Sequence, residues 1–251
     1  MEAHNRGLRG LMKGALRLVY PPQCLCCGDA VAEEGALCAA CWAEADFIAG
    51  ACCSRCGAPL PDAGLKEEED ELLLCDDCLR LPRPWLRGRA ALVYRGTGRK
   101  LLLMLKHGDR PDLAPALGDW VARAAGPLVR PDMVVVPVPV HLRRLARRKY
   151  NQAALLAERV ARVHRLTHLP HALIRRRNTP MQDHGSVGDR FANVADAMRI
   201  GARAGIEGRA VLLVDDVMAS GATLAEAAEV LRQAGSGPVS VVVLARAVKD
   251  T

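Results

Sequence analysis

Short unbroken apolar runs alternate with helical apolar stripes along the second half of the chain. The runs predict buried strands at 90–94, 133–136, 211–214 and 239–244. Apolar residues spaced three or four positions apart predict helices at 98–107, 112–125, 155–163 and 222–234. Continuous apolar strands are typical of a parallel sheet that is covered on both faces. Strands that alternate with helices therefore predict an α/β domain with a mainly parallel sheet.

The apolar run at 211–214 leads into two acids and a turn of small residues. The nine residues after the run are Asp215, Asp216, Val217, Met218, Ala219, Ser220, Gly221, Ala222 and Thr223. Ligands of open parallel sheets bind just outside the carboxyl ends of the strands, where these residues are expected. Backbone N–H groups at the helix start and the hydroxyls of Ser220 and Thr223 suit a phosphate. The carboxylates of Asp215 and Asp216 suit sugar hydroxyls or a hydrated Mg²⁺ ion, so the segment predicts a site for a ribose 5-phosphate.

Two other interpretations fit a strand that ends in paired acids. The acids could simply cap a turn after a buried strand, or they could form the phospho-acceptor pair of a response-regulator domain. The second interpretation expects the acids after the first strand of the domain, whereas Asp215 and Asp216 lie near the end of this chain. We therefore favour the phosphate site.

Two clusters of cations follow the strand predicted at 133–136. Pro137 and Pro139 end that strand, because proline cannot donate to a central sheet. The first cluster and its continuation are Arg143, Arg144, Arg147, Arg148, Lys149, Tyr150, Asn151 and Gln152. The second is Arg175, Arg176, Arg177, Thr179, Gln182, Arg190 and Asn193. A loop over the first cluster can face the same crevice as Asp215, where guanidinium groups suit pyrophosphate. The alternative is an exposed basic helix without a ligand.

Composition and charge narrow the classes of protein. The 251 residues suffice for one ordinary domain and a small one. Only 3% are aromatic, which argues against a stacking platform for single-stranded nucleic acid. No apolar run approaches ~18 residues, and no secretory leader is recognisable, so we expect a cytoplasmic protein without a transmembrane segment. Residues 91–251 carry 25 basic and 14 acidic side chains, against 10 and 14 in residues 1–90. The second part of the chain therefore suits an anionic ligand, and its charge does not by itself require DNA.

All ten cysteines lie between Cys24 and Cys78, and eight of them form four C-x-x-C pairs. The pairs are Cys24 with Cys27, Cys38 with Cys41, Cys53 with Cys56, and Cys75 with Cys78. Two such turns complete a tetrahedral thiolate site that leaves no open position for catalysis. In a reducing compartment, zinc explains them better than disulfides do. Pairing in chain order predicts two structural Zn²⁺ ions, although interleaved pairing also fits, and Cys26 and Cys52 are left over.

The first twenty residues predict a basic amphipathic helix. Arg6, Arg9, Lys13 and Arg17 recur at three-to-four spacing opposite apolar residues. Such a helix can lie on an anionic membrane surface, although docking on its own protein is more common. Prolines at positions 82 and 84 mark the next boundary. The expected organisation is a helix at 1–20, a double zinc ribbon at 21–82 and the α/β domain at 88–251.

The segment from Val211 to Leu224 resembles the phosphoribosyl pyrophosphate (PRPP) signature of the type I phosphoribosyltransferases. Four further features are the apolar V-V-P-V-P-V run at 135–140, R-K-Y-N-Q at 148–152, Lys106 with His107 after the first helix, and the paired cysteines. Together they make the chain similar to the competence protein ComF family over nearly its whole length. The resemblance implies a type I phosphoribosyltransferase-like parallel sheet with an N-terminal double zinc-ribbon domain.

The resemblance also implies roles for individual residues. The paired acids would hold the ribose 2′ and 3′ hydroxyls, and residues 219–223 the 5′-phosphate. The full set of PRPP-binding residues would be Asp215 to Thr223 with Arg143, Arg144 and Tyr150, and Mg²⁺ would accompany PRPP. The catalytic residues would be Asp215, Asp216, Arg148 and Lys149. The chain departs from the family pattern at Ala219-Ser220, which removes one hydroxyl, and at Lys149, which replaces a glycine.

Members of the ComF family are implicated in DNA uptake during natural transformation. The PRPP signature, in turn, implies transfer of a phosphoribosyl group to a nitrogen nucleophile with release of pyrophosphate. Single-stranded DNA or DNA-uptake proteins would be further partners. The alternative is a non-catalytic, PRPP-sensing factor that binds DNA or another protein.

Overall fold

A five-stranded parallel sheet forms the centre of the structure, a computed structural model that describes residues 20–61, 72–177, 187–202 and 204–248. Two predicted features lie outside those residues. They are the basic helix over 1–20, of which only Tyr20 is described, and the pair Thr179 and Gln182 of the second cation cluster.

The strands of the sheet lie in the order β1-β7-β6-β2-β3, and all neighbours are parallel. They are β1 (Gly88–Val93), β2 (Val134–Pro137), β3 (Thr167–His168), β6 (Val211–Met218) and β7 (Val239–Arg246). A separate antiparallel pair consists of β4 (Leu173–Arg175) and β5 (Met198–Ile200). The four strands predicted from apolar runs are confirmed as β1, β2, β6 and β7.

Helices cover both faces of the sheet and confirm the predicted α/β fold. They are α1 (Ala39–Ala43), α2 (Asp76–Arg80), α3 (Gly96–His107), α4 (Ala114–Ala125), α5 (Leu142–Arg148), α6 (Gln152–His164), α7 (Val187–Val194) and α8 (Ala222–Gln233). On one face Leu117 of α4 and Leu156 of α6 pack with Leu212. On the other, Leu231 of α8 packs with Leu213. Within the described ranges, no helix is long and apolar enough to cross a membrane.

Strand β6 continues through the two acids instead of ending before them. The apolar pattern predicts an end at Val214, but β6 pairs with β7 from Val211 to Met218. Backbone hydrogen bonds to a long neighbouring strand keep the chain extended whatever the polarity of the side chains. Asp215 and Asp216 therefore lie on a rigid part of the sheet, and the turn of small residues begins after Met218.

The basic segment after Pro139 is a helix, so the prediction of a loop there is wrong. Helix α5 begins where the N–H of Arg143 donates to Nδ1 of His141, at 3.2 Å. It ends at Lys149, which lies in the left-handed region at φ 67°. Leucine, arginine and alanine are good helix formers. Their intrinsic preference for the helix explains why α5 forms although it has no apolar stripe. None of the α5 residues is fully buried.

The segment with the second group of cysteines packs directly on the sheet. Cys53, Cys56 and Cys78 are buried in the same apolar cluster as Leu213. Gly88, at the start of β1, lies so close to this segment that a Cβ would collide with the carbonyl oxygen of residue 55. Glycine is therefore required there by close approach, and the cysteine-rich segment forms part of the core that underlies β6.

Candidate functional site

Eight cysteines form two groups of four. Within each group all Sγ atoms lie within 4.8 Å of one another. The groups are Cys24, Cys27, Cys38 and Cys41, and Cys53, Cys56, Cys75 and Cys78. The structure thus brings together pairs that follow each other along the chain, and interleaved pairing is wrong. Four thiolates around one point are the donor set of a structural zinc ion, so these are two four-cysteine zinc-ribbon sites, with Cys26 and Cys52 outside both.

Crowding of the thiols in the second group shifts their pKa values in opposite directions. Hydrogen bonds from Cys56 and Cys78 lower the pKa of Cys53. The hydrogen bond with Cys53 raises the pKa of Cys78, and the guanidinium of Arg83 opposes that rise. The thiolate is the form that binds metal, so a bound cation would favour deprotonation of all four thiols.

The two acids of β6 lie in different surroundings. Nζ of Lys106, from α3, lies 2.9 Å from Oδ2 of Asp216, and the two side chains are only 17% and 11% exposed. Oδ1 of Asp215 accepts a hydrogen bond from the N–H of Asp216 at 2.8 Å. Burial and the Asp216 carboxylate raise the pKa of Asp215 to about 7, against the opposing effects of Lys106 and Arg175. Asp216 is therefore one half of an ion pair, whereas Asp215 takes up a proton near neutral pH.

The small residues after β6 make a tight turn into α8. Gly221 precedes the first helical residue and lies in the left-handed region at φ 81°, where glycine is favoured. The N–H of Ala222 donates to Oγ of Ser220 at 3.3 Å. The first N–H groups of a helix lack helical partners and carry the positive end of the helix dipole. The turn is therefore chemically suited to an anion.

A cavity of about 250 Å³ lies at the carboxyl ends of β2 and β6. Its lining includes eight of the residues predicted for the site: Asp215, Asp216, Val217, Ser220, Ala222, Thr223, Arg144 and Arg148. Arg175 of β4 and Arg190 of α7 line the same cavity as Arg144. Burial lowers the pKa of Arg144 and of Arg175, but arginine starts high enough to stay protonated at neutral pH. The cavity thus combines two acids with a wall of cations.

Three predicted site residues of the first cation cluster lie outside the cavity. Lys149 is 73% exposed, and its Nζ pairs with Asp109 at 3.0 Å. The hydroxyl of Tyr150 donates to the carbonyl oxygen of Leu105 at 2.8 Å. Arg143 is exposed on α5. The helical periodicity of α5 explains the division, because it turns residues 144 and 148 toward the cavity and residue 143 away from it.

Three residues of the predicted phosphate segment contribute backbone rather than side chains. The side chain of Met218 is 1% exposed and belongs to the core. Ala219 and Gly221 offer no polar side-chain atom, and neither lines the cavity. Their carbonyl and N–H groups nevertheless build the turn between β6 and α8.

Six polar residues line the cavity in addition to the residues predicted for the site. They are Lys106, Asn151, Gln152, Arg175, Arg190 and Asn193. Asn151 carries the clearest local signal, since asparagine is a preferred helix N-cap. Its Oδ1 accepts from the N–H of Ala153 at 3.1 Å, and its Nδ2 donates to the carbonyl of Val138 at 3.0 Å. Gln152 follows Asn151 at the start of α6, and Lys106 reaches the site from α3. Arg175 of β4 and the pair Arg190 and Asn193 of α7 belong to the second cation cluster, which the sequence alone did not place at this cavity.

Two family models match this chain. The model described as a double zinc ribbon domain matches residues 15–79, and the model described as a phosphoribosyl transferase domain matches residues 153–251. The first match covers both four-cysteine groups, and the second covers β6, α8 and the turn of residues 219–221 between them, which we name the phosphate turn after its predicted ligand.

Comparison with curated proteins and solved structures gives named relatives. The DNA utilization protein YhgH of Escherichia coli K12 is 32% identical over 200 residues, which are 77% of this chain and 83% of YhgH. Competence protein F of Haemophilus influenzae is 36% identical over 114 residues, which are 45% of this chain and 50% of that protein. Among solved structures, the glutamine PRPP amidotransferase of B. subtilis is 21% identical with a TM-score of 0.39, over 57% of this chain and 30% of that one.

Proposed function

The chain joins a double zinc ribbon to a phosphoribosyltransferase domain and belongs to the family of the DNA utilization protein YhgH and competence protein F; from this premise we propose that its cavity binds PRPP with Mg²⁺. In this proposal Asp215 and Asp216 hold the ribose hydroxyls, and residues 219–223 hold the 5′-phosphate. One observation carries the proposal: the two acids and the anion-binding start of α8 share a single cavity.

The distribution of charge supports PRPP rather than a simple sugar. PRPP carries a 5′-phosphate and a pyrophosphate, and each needs cationic or N–H donors. The start of α8 supplies donors for one of them, while Arg144, Arg148 and Arg190 line the same cavity and suit the other. Neighbouring guanidinium groups repel one another more strongly at low local dielectric than in water. A phosphate ligand would relieve this repulsion, whereas a neutral sugar would not.

The acids also fit a magnesium ion that accompanies PRPP. Carboxylate oxygens are the ligands that Mg²⁺ prefers, and the ion usually retains several waters and binds through substrate phosphates. Asp215 would hold it together with the ribose hydroxyls, because Asp216 is already paired with Lys106. A nearby divalent cation favours the ionised form of Asp215 and so lowers its pKa from about 7.

The proposed reaction is displacement of pyrophosphate from C1 of the ribose by a nitrogen nucleophile. The C1–O bond to pyrophosphate breaks, a C1–N bond forms, and the nucleophile loses a proton. Arginines such as Arg148 would stabilise the charge that develops on pyrophosphate, and the acids would stabilise the cationic ribose ring. Lys149 is assigned no role in this step, because it pairs with Asp109 outside the cavity.

A second function, a PRPP sensor that binds DNA or a protein without turnover, is favoured by a different observation. Arg143 and Arg147 are exposed on α5, directly beside the cavity but outside it. Exposed arginines suit phosphate backbones, and two relatives of this chain are named for DNA utilization and for competence. We further propose a cytoplasmic location and boundaries at 21–82 for the ribbons and 88–251 for the transferase domain.

Calorimetric titration of the zinc-loaded full chain with Mg²⁺–PRPP tests the first function. We expect saturable binding by the parent and by Asp132→Asn, a matched change of an exposed acid before β2, and none by Asp215→Asn/Asp216→Asn. No binding by the parent would contradict the proposal. Release of pyrophosphate with an acceptor would distinguish an enzyme from a sensor, whereas strongly salt-dependent DNA binding that survives in the double variant would favour the sensor.

A further inference from the structure

Two arginines donate hydrogen bonds to three consecutive carbonyls where β6 leads into the phosphate turn. Nη1 of Arg246 donates to the carbonyl oxygens of Met218 at 3.2 Å and of Ala219 at 2.8 Å. Nη1 of Arg83 donates to the carbonyl oxygen of Ser220 at 2.6 Å. In a planar trans peptide the N–H points opposite to the C=O. Fixing these carbonyls therefore also fixes the directions of the N–H groups that follow them.

Arg83 is tied to the first C-x-x-C turn of the second zinc-ribbon site. Arg83 stacks on the ring of Trp85, with its Cζ 5.6 Å from the ring centroid. Nε1 of Trp85 donates to the carbonyl oxygen of Arg55 at 2.5 Å, and Nη1 of Arg55 donates back to the carbonyl of Trp85 at 2.6 Å. Arg55 lies between Cys53 and Cys56. Trp85 is 1% exposed, so this connection is a packed one.

Arg246 is tied to the second C-x-x-C turn of the same site. Its Nη2 lies 3.9 Å from Oδ2 of Asp77, which stands between Cys75 and Cys78. The Arg246 side chain is 3% exposed, and a charge buried to that degree requires hydrogen bonds and an opposite charge nearby. The turn supplies the carbonyls and the ribbon supplies the carboxylate.

We infer that the second zinc-ribbon site positions the phosphate turn through Arg83 and Arg246. Each C-x-x-C turn of that site contributes one residue, Arg55 or Asp77, to a chain of contacts that ends on the carbonyls of Met218, Ala219 and Ser220. Arg83 and Arg246 are positioning residues, because they do not line the cavity and act through the backbone of the turn. This inference rests on the proposed function only in predicting PRPP affinity; the order of the turn is a property of the free protein.

Amide hydrogen exchange and Mg²⁺–PRPP titration on the zinc-loaded full chain test the inference. In Arg83→Ala we expect the backbone amides at 219–224 to exchange about tenfold faster than in the parent, because a hydrogen bond from a charged group is lost. The variant should also bind PRPP about tenfold more weakly. Arg83→Lys should recover part of the slow exchange and part of the PRPP affinity, since lysine keeps a charged donor. The matched control is Arg80→Ala, an exposed arginine of the same segment, which should behave as the parent. Zinc content should remain two per chain in all variants.

Exchange at 219–224 that is unchanged in Arg83→Ala would overturn the inference. Faster exchange with unchanged PRPP affinity would also overturn it, because the turn would then not need its support to bind. If the parent itself fails to bind PRPP, the proposed function fails, and the exchange rates alone still decide whether the ribbon orders the turn.

Discussion

The two zinc-ribbon sites use the same four ligands but lie in different parts of the molecule. In the first site Cys27 is exposed and Cys38 is half-buried. In the second site Cys53 and Cys56 are fully buried, within the apolar cluster that contains Leu213 of β6. The ligands of the first site belong to neither apolar cluster, and only half-buried neighbours such as Leu25 and Leu37 pack on the core there, whereas the second site contributes buried ligands to the core itself.

The contacts that leave the two sites differ in the same way. From the segment after the first site, Glu44 pairs with Lys100 at 3.2 Å and Asp46 pairs with Arg95. These ion pairs are substantially exposed. The other contacts of this segment, such as that of Phe47 with Trp120, reach β1 and α4 rather than the phosphate turn. The arginines connected with the second site are buried or half-buried and end on the phosphate turn. Identical metal chemistry thus serves local stability in one place and the candidate ligand site in the other.

Replacement of one ligand in each site should show the largest difference. We expect Cys56→Ser to lower the melting temperature by more than ~10 °C, since apparent zinc binding energies reach ~10–16 kcal/mol where folding depends on the metal. Cys27→Ser, in the exposed site, should lower it by less than half as much. Thermal unfolding with zinc analysis by mass spectrometry measures both. Equal losses of stability would show that the core of the protein depends no more on the second site than on the first.

Two glycines with positive φ provide a finer comparison. A Cβ at Gly221 would lie 2.9 Å from Nη1 of Arg83 and 3.3 Å from the ring of Trp85, whereas at Gly28, with φ 86°, nothing lies within 4 Å. Both alanine variants should lose about 1 kcal/mol of stability from backbone strain. Only Gly221→Ala should also weaken Mg²⁺–PRPP binding, by roughly tenfold or more, because Arg83 must move. A titration in which Gly28→Ala loses as much affinity would contradict the comparison.

The pKa of Asp215 predicts how stability at the cavity changes with pH. Its folded-state pKa of about 7 lies above the ordinary 3.8, so the folded protein binds this proton more tightly than the unfolded chain. Stability then falls as pH rises between about 4 and 7. Asp215→Asn lacks this loss, and at pH 8 without PRPP we expect it to melt a few degrees higher than the parent. Thermal unfolding from pH 5 to 8 measures this, and a parent that is as stable as the variant at pH 8 would disprove it.

The smallest expected effect on PRPP affinity concerns two acids, one from each zinc-ribbon segment, whose side chains pair with cations elsewhere in the molecule. Asp77→Asn removes the charge 3.9 Å from Arg246, but the Asp77 side chain is 48% exposed. Exposed pairs contribute about 0.2–1 kcal/mol, so PRPP affinity should fall by roughly two- to fivefold. Glu44→Gln, which breaks the pair with Lys100, should leave the affinity unchanged. Parallel titrations compare them, and a loss in Glu44→Gln alone would reverse the assignment.

The fold could be predicted from sequence where a pattern repeats within one element. Apolar runs and stripes identified β1, β2, β6 and β7 with their helices, and the cysteine spacing indicated both four-cysteine groups. The failures have physical causes. The end of β6 is set by pairing with β7 rather than by its own polarity, and α5 has no buried residue to give it an apolar stripe.

The candidate site could be predicted along one strand and turn and, in part, along the basic segment. Asp215, Asp216 and the turn to Thr223 are continuous in sequence, and most of these residues line one cavity together with Arg144 and Arg148. Lys106 and Arg190 enter that cavity from α3 and α7, and the contacts of Arg83 and Arg246 cross from the ribbon to the turn. Such juxtapositions depend on tertiary packing, which no local pattern encodes.

Amide hydrogen exchange of the zinc-loaded full chain with and without Mg²⁺–PRPP tests the central claim most directly. We expect added Mg²⁺–PRPP to slow exchange at 215–224, and to a smaller extent in the second ribbon at 53–57 and 76–83. Exchange at 24–41, around the first site, should stay unchanged. Unchanged exchange at 215–224, or equal slowing around both zinc-ribbon sites, would contradict it.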